Sequence, residues 1–251
     1  MTVLITGAAR GLGASLAQQA LERGRTVLGI DRDWENAEAV SDNGIHRITC
    51  DLTDLAAVSQ LSEELKSHAP FETVIHNAAI SATGPFETIP PDAHKRLIDV
   101  NVKAPMLLTQ DVVKSKMMAN RGTLVFMASL SVAIGYPGAA SYAASKAALA
   151  NYAKSLRRAL GPQKIAVLTV FPGPLKTDQA ARHAPAGADE EKRMSPDFAA
   201  SEIWYAIKAG KKTLTPGVQN QAFSTLGKIA PGMMSRAMRK IIYEKLDRSI
   251  Y

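Results

Sequence analysis

The stretch Thr6-Gly7-Ala8-Ala9-Arg10-Gly11-Leu12-Gly13 decides the fold. A short apolar run over residues 3–6 precedes it and predicts a buried strand, and a helix is predicted over residues 11–23. The glycines have a physical reason in such a turn. A phosphate that reaches the main chain at the start of a helix meets unpaired N–H groups and the positive end of the dipole, and a side chain on the loop would block it. The spacing is TGxxxGxG, which differs from the GxGxxG of other dinucleotide folds. A tight strand–helix turn with no ligand would also explain three glycines in eight residues.

Outward from that turn, strand and helix alternate. Strand-like runs lie at residues 26–30, 45–50, 73–76, 123–127 and 165–171, with helices predicted over 55–68, 91–118 and 141–160. Strands joined by helical crossovers imply a parallel sheet, and their continuous apolar runs suit a sheet buried on both faces. The expected architecture is α/β: one doubly wound domain over residues 1–251, with helices on both faces. Residues 174–196, which include Asp189-Glu190-Glu191-Lys192-Arg193, predict a mobile loop with at most a short helix. The tail over 219–251 is basic. Within it, residues 233–248 place Met234, Met238, Ile241, Ile242 and Leu246 on one helical stripe.

The formal net charge of +7 is concentrated. Residues 201–251 hold nine Lys or Arg and three acids, a net +6. No nucleic-acid-binding signature accompanies that charge, and a solvated basic tail explains it without a nucleic-acid partner. No apolar run approaches membrane-spanning length, no leader pattern opens the chain, and no metal-ligand spacing is present. The lone Cys50 cannot form an intrachain disulfide, so a cytoplasmic location is the simplest expectation.

Several residues sit where a parallel sheet binds its ligands, at the carboxyl ends of the strands. Asp31, after the second strand, can accept both hydroxyls of an adenosine ribose, which favours NAD; Arg10 and Arg32 could instead pair with the 2′-phosphate of NADP. Asp51, next to Leu52, could accept a bond from adenine, and Asn77-Ala78-Ala79 follows the fourth strand; turn chemistry explains either equally well. Tyr142 and Lys146 are four residues apart, on one helical face. A cation there would lower the phenol pKa and let Tyr142 exchange a proton with an alcohol or carbonyl. Ser129 could hold the substrate oxygen beside the phenol, with Ser131 as its rival on strand alternation. Asn101 lies four residues before Pro105, whose missing N–H frees the Asn101 carbonyl to bind a water linked to Lys146, or leaves a plain kink.

With these motifs in view, the chain resembles the short-chain dehydrogenase/reductase family over about residues 2–177. The matching residues are Thr6 to Gly13, Asp51, Asn77-Ala78-Ala79, Asn101, Ser129, Tyr142, Lys146 and Pro172-Gly173-Pro174-Leu175-Lys176-Thr177. The resemblance implies a Rossmann-type doubly wound parallel sheet with a catalytic set of Asn101, Ser129, Tyr142 and Lys146. It further implies that Lys146 binds the nicotinamide ribose and that Pro172, Gly173, Leu175 and Thr177 approach the nicotinamide. It implies a homodimer or homotetramer acting on a small alcohol or carbonyl substrate with NAD or NADP. Two departures stand out. His76-Asn77-Ala78-Ala79 replaces the usual Asn-Asn-Ala-Gly, with His76 expected to be a satisfied strand residue. The end of the chain reads Thr215-Pro216-Gly217 and then a basic helix, in place of the usual glycine-rich strand region. The alternatives are a nucleotide-sensing protein without chemistry and a membrane-associated reductase of a lipid-like substrate. For the tail, packing against its own domain or a partner subunit is favoured over membrane contact.

Overall fold

The computed structural model describes residues 1–38, 44–184, 188–246 and 249–251. Among these residues, seven strands form one parallel sheet in the order β3-β2-β1-β4-β5-β6-β7. They are β1 (Thr2–Thr6), β2 (Thr26–Asp31), β3 (Ile45–Thr49), β4 (Phe71–His76), β5 (Met118–Met127), β6 (Ala166–Val170) and β7 (Thr213–Leu214). The helices between them are α1 (Gly11–Glu22), α2 (Leu55–Gln60), α3 (Ser62–Ser67), α4 (Pro91–Ile98), α5 (Ala104–Lys114), α6 (Ala140–Ala159), α7 (Asp178–Arg182), α8 (Pro196–Lys208), α9 (Val218–Ile229) and α10 (Pro231–Ile241).

Strand alternation divides the core into two layers. Val3, Ile5, Val27, Ile75, Val125, Leu168 and Val170 face α1 and α8. Leu4, Leu28, Ile30, Val74, Leu124, Phe126 and Val167 face the other layer, where Val58, Leu65, Leu108, Leu149 and Ala153 of α2, α3, α5 and α6 cover them. This is the expected doubly wound domain. α8 was not expected as an element. It starts at Ser195, whose hydroxyl accepts from the Phe198 N–H at 3.2 Å, with Pro196 in the first helical position. It is tied to α1 by Ser15 Oγ donating to Asp197 Oδ1 at 2.6 Å and by the Trp204 indole donating to the Leu16 carbonyl.

Three expected elements differ in detail. Residues 55–68 form two short helices that meet at Leu61. Residues 91–118 do not form one helix: α4 passes into a π-helical turn over Asp99–Lys103, α5 ends at Lys114, and Met118 already belongs to β5. The physical reason is Pro105, which cannot donate to the Asn101 carbonyl, so the ladder widens and Ala104 N–H reaches back to the Asp99 carbonyl. The buried Asp99 carboxylate takes Lys103 Nζ at 2.7 Å and Lys95 Nζ at 3.0 Å, which hold its pKa below the usual carboxylate range, Lys103 most strongly.

The tail is two helices rather than one. α10 carries the apolar stripe, and Met234, Met238 and Ile242 are buried. Ile242 and Leu246 lie against Gly138, so the stripe packs on its own domain. The Ile241 side chain and Arg248 lie outside the described residues. A backbone bridge between Thr83 and Ile250 returns the end of the chain to the segment after β4.

Candidate active site

At the carboxyl edge of the sheet the glycine turn is built by close approach. Gly7 has φ +67°, and a Cβ there would lie 2.9 Å from Ala78 Cα. Gly11 has φ +55° and faces Thr177 Cγ2 at 3.0 Å from where its Cβ would be. A Cβ on Gly13 would collide with the Gly7 carbonyl, so this glycine serves helix–strand packing. Asn77 locks the turn to β4. Its amide donates to the carbonyls of Thr6 (3.1 Å) and Gly7 (3.0 Å), while Thr6 Oγ1 accepts from the N–H of both Asn77 and Ala78.

The Asp31 carboxylate accepts from the N–H of Ala9 at 3.0 Å and of Arg32 at 2.8 Å, which ties the glycine turn to the end of β2. Arg10 is already paired with Asp33 at 3.4 Å, and Arg32 is exposed. One carboxylate here escaped the sequence reading. Glu38 Oε1 accepts from the Gly11 N–H at 2.7 Å, at the start of α1. An anionic oxygen therefore fits the very N–H group that a phosphate would use, and the turn suits a dinucleotide. Asp51 caps its own turn, accepting from Thr53 N–H at 2.9 Å, and Leu52 is buried in the core.

At the other end, β5 leads into a 3₁₀ turn (Leu130–Ala133) whose first N–H groups are capped by Ser129. Because the chain leaves the strand at Ser129, strand alternation no longer applies, and Ser131 donates from both its hydroxyl (3.0 Å) and its N–H (3.1 Å) to Ser129 Oγ. Lys146 on α6 is buried, donates to the Met127 carbonyl at 2.8 Å, and sits 5.7 Å from the centre of the Tyr142 ring.

The electrostatics differ from the sequence expectation. Burial lowers the Lys146 pKa to about 7, and burial raises that of the Tyr142 phenol, opposed by its hydrogen bond with Ser129 and reinforced by Tyr136. In both groups burial disfavours the charged form. The phenol is thus held as a proton donor at neutral pH.

Asn101 reaches the site through its side chain. Its amide accepts from the Ile80 N–H at 2.9 Å, donates to the Ile80 carbonyl at 2.9 Å, and donates to Ser145 Oγ at 3.0 Å. It clamps the segment after β4 to α6. Ala79 takes the Gln179 amide on its carbonyl at 3.0 Å. His76 is the buried strand residue expected, but only half satisfied: Nε2 meets Thr109 Oγ1 at 2.8 Å and Nδ1 has no hydrogen-bond partner among the described residues. Burial drives its pKa to about 3, so it is neutral.

Pro172 and Gly173 carry the chain from β6 across this edge. The Pro172 carbonyl accepts from Leu130 N–H at 2.9 Å, and Gly173 lets Asn220 of α9 approach closely. The segment that follows is tied at its base: Leu175 bridges Met194, Met194 N–H donates to the Pro174 carbonyl, and Lys176 N–H donates to the Met194 carbonyl. Thr177 caps α7, the short helix expected there. Residues 185–187 of this segment lie outside the described residues.

A parallel sheet with a glycine-rich turn after its first strand, and Tyr142 beside the buried Lys146, belongs to an α/β oxidoreductase that works on a CH–OH group with NAD(P). The chain belongs to the short-chain dehydrogenase family, whose profile matches residues 1–186. It is 29% identical over 180 residues to the 3-oxoacyl-(acyl-carrier-protein) reductase of Escherichia coli, covering 70% of this chain and 73% of that one. A short-chain dehydrogenase of Burkholderia cenocepacia in complex with NADP superposes with a TM-score of 0.80 at 23% identity, over 94% of this chain and 96% of that one. One from Sphingobium yanoikuyae in complex with NADPH gives 0.76 at 26% identity, over 93% and 94%. Among the described residues no helix is long and apolar enough to cross a membrane.

Proposed function

We propose that the protein interconverts a secondary alcohol and a ketone, or the aldehyde counterpart, with Tyr142 as general acid and base. The observation that carries this reading is the convergence of the Tyr142 phenol, the buried Lys146 amine and the Ser129 hydroxyl at the ligand edge of the sheet. Bound nicotinamide dinucleotide supplies the two-electron acceptor or donor for the substrate carbon. Tyr142 gives its proton to the carbonyl oxygen in reduction and takes it back from the alcohol in oxidation. Ser129, oriented by two bonds from Ser131, holds that oxygen beside the phenol. Lys146 is the cation available to stabilise the phenolate, and Asn101 positions Ile80 at the pocket wall.

For the cofactor, Gly7, Arg10, Gly11, Leu12 and Gly13 would hold the phosphates, Asp31 and Arg32 the adenosine ribose, and Asp51 and Leu52 the adenine. Asn77, Ala78 and Ala79 would follow the dinucleotide across the sheet edge. Tyr142, Lys146, Pro172, Gly173, Leu175 and Thr177 would hold the nicotinamide half. NAD is the preferred form, because Asp31 faces the ribose and Arg10 is already neutralised by Asp33. The NADPH bound by the Sphingobium protein argues for the other form.

Residues 174–196 act as a lid over the substrate. The pairing of Leu175 with Met194 supports this by holding the base of the segment beside the site. A homodimer or homotetramer in the cytoplasm completes the reading; Ala144 and Ala148, exposed on α6, are small enough for close approach of a second copy. Tyr142→Phe tests the mechanism. Cofactor binding, followed by fluorescence titration, stays unchanged, and turnover falls by about 10²–10⁴. A Phe variant with full activity overturns it.

A further inference from the structure

Arg193 stands out among the charges the mechanism does not use. It lies just before Met194, so the pairing that ties the base of the 174–196 segment also fixes its backbone. Its side chain is only 8% exposed, and Nη1 is buried with no hydrogen-bond partner among the described residues. The nearest acid is Glu190, whose Oε1 is 3.6 Å from Nη1, too far for a hydrogen bond. The neighbouring acids are engaged elsewhere: Asp189 with Lys192 at 3.1 Å and Glu191 with Lys176 at 2.8 Å. A buried guanidinium left without an acceptor is costly, and such a group persists where a ligand supplies the missing partner.

Its surroundings identify the ligand as the substrate. Arg193, with Pro174, Met194 and Gly217, lines an open cleft of about 470 Å³ between the lid segment and the start of α9. Its positive charge acts on the Tyr136 phenol, opposing the rise that burial causes there, and Tyr136 in turn acts on Tyr142. Pro174 on the cleft wall follows Pro172, whose carbonyl accepts from the Leu130 N–H next to Ser129, so the cleft adjoins the proposed site.

Resting on the alcohol–ketone reading, we infer that Arg193 is a specificity residue for a substrate that carries a carboxylate at some distance from the reacting carbon. The substrate class is then hydroxy acids and the corresponding oxo acids. A carboxylate is a planar acceptor that fits a guanidinium, and Nη1, 3.6 Å from Glu190, still lacks an acceptor among the described residues.

The test pairs a series of oxo acids of varied oxo–carboxyl spacing with their methyl esters, assayed with wild type, Arg193→Gln and Arg193→Lys. Wild type prefers one acid over its ester. Arg193→Gln loses about 10²-fold in kcat/KM for that acid and leaves the ester within a factor of a few. Arg193→Lys recovers part of the loss. Thermal unfolding of each variant separates this from a role in holding the lid, which would reduce acid and ester turnover together. Equal losses for acid and ester, or a wild type that prefers the esters, overturn the inference while the alcohol–ketone reading stands. A wild type that binds NAD(P) but turns over neither acids, esters nor neutral alcohols overturns both.

Discussion

Burying the Lys146 amine costs the native state stability at neutral pH and below, because its pKa falls to about 7 from the ordinary 10.5 of the unfolded chain. The sign follows from proton counts. Between pH 7 and 10.5 the unfolded chain binds a proton here that the native state does not, so this group makes stability rise with pH. Below pH 7 both states are protonated and the full penalty applies. Chemical denaturation at pH 7 and pH 9 measures it: Lys146→Met removes an upward slope worth about 2–3 kcal/mol over that interval. A variant with the wild-type slope places the titration elsewhere. The second residue-scale outcome concerns Asp31, which meets a 2′-phosphate with like charge. Wild type gives the higher kcat/KM with NAD, and Asp31→Ser shifts the ratio toward NADP by about 10-fold or more. A wild type that prefers NADP shows Arg32 outweighing the carboxylate.

Among the elements, the π-helical turn between α4 and α5 does most to place the site. It directs the Asn101 side chain at both backbone groups of Ile80 and at Ser145. Asn101→Ala strands all three, so urea denaturation registers a loss of about 2–4 kcal/mol. Asn101→Asp keeps the bond from the Ile80 N–H but sets an oxygen against the Ile80 carbonyl, and it falls between wild type and Ala. The sequence pointed to Asn101 through Pro105, yet assigned the work to its backbone carbonyl; a proline announces a missing donor, and nothing local tells where the side chain will reach. The glycine turn was legible because its spacing reflects close approaches that only glycine permits. β7 was not, since Thr213 and Leu214 are too few to show a period. α8 could have been found from Ser195-Pro196-Asp197, a cap, a first-turn proline and an acid in order. Arg193 stayed hidden because a charge in a polar stretch carries no mark of the fold that turns it inward, and Glu38 because nothing local shows which distant N–H an exposed carboxylate will meet.

For the whole molecule, a parallel sheet covered by helices on both faces was readable from the alternation of strand and helix, whereas the order of its strands was not. Where the tail docks was not, because an amphipathic stripe fixes what must be buried but leaves open against what. The structure buries Met234, Met238 and Ile242. A chain ending at Ala230 uncovers that surface, and its denaturation midpoint corresponds to a loss of about 3–6 kcal/mol. A truncated protein of unchanged stability shows that the packing of α10 contributes nothing. The bridge between Thr83 and Ile250 has one more consequence, for the order in which the protein is made. On the ribosome the glycine turn can assemble once β1, β2 and β4 have emerged, long before residue 250 is made. The segment after β4 must wait for Ile250 before it finds its pairing partner. A nascent chain therefore has the phosphate-cradling turn before it has a finished substrate side.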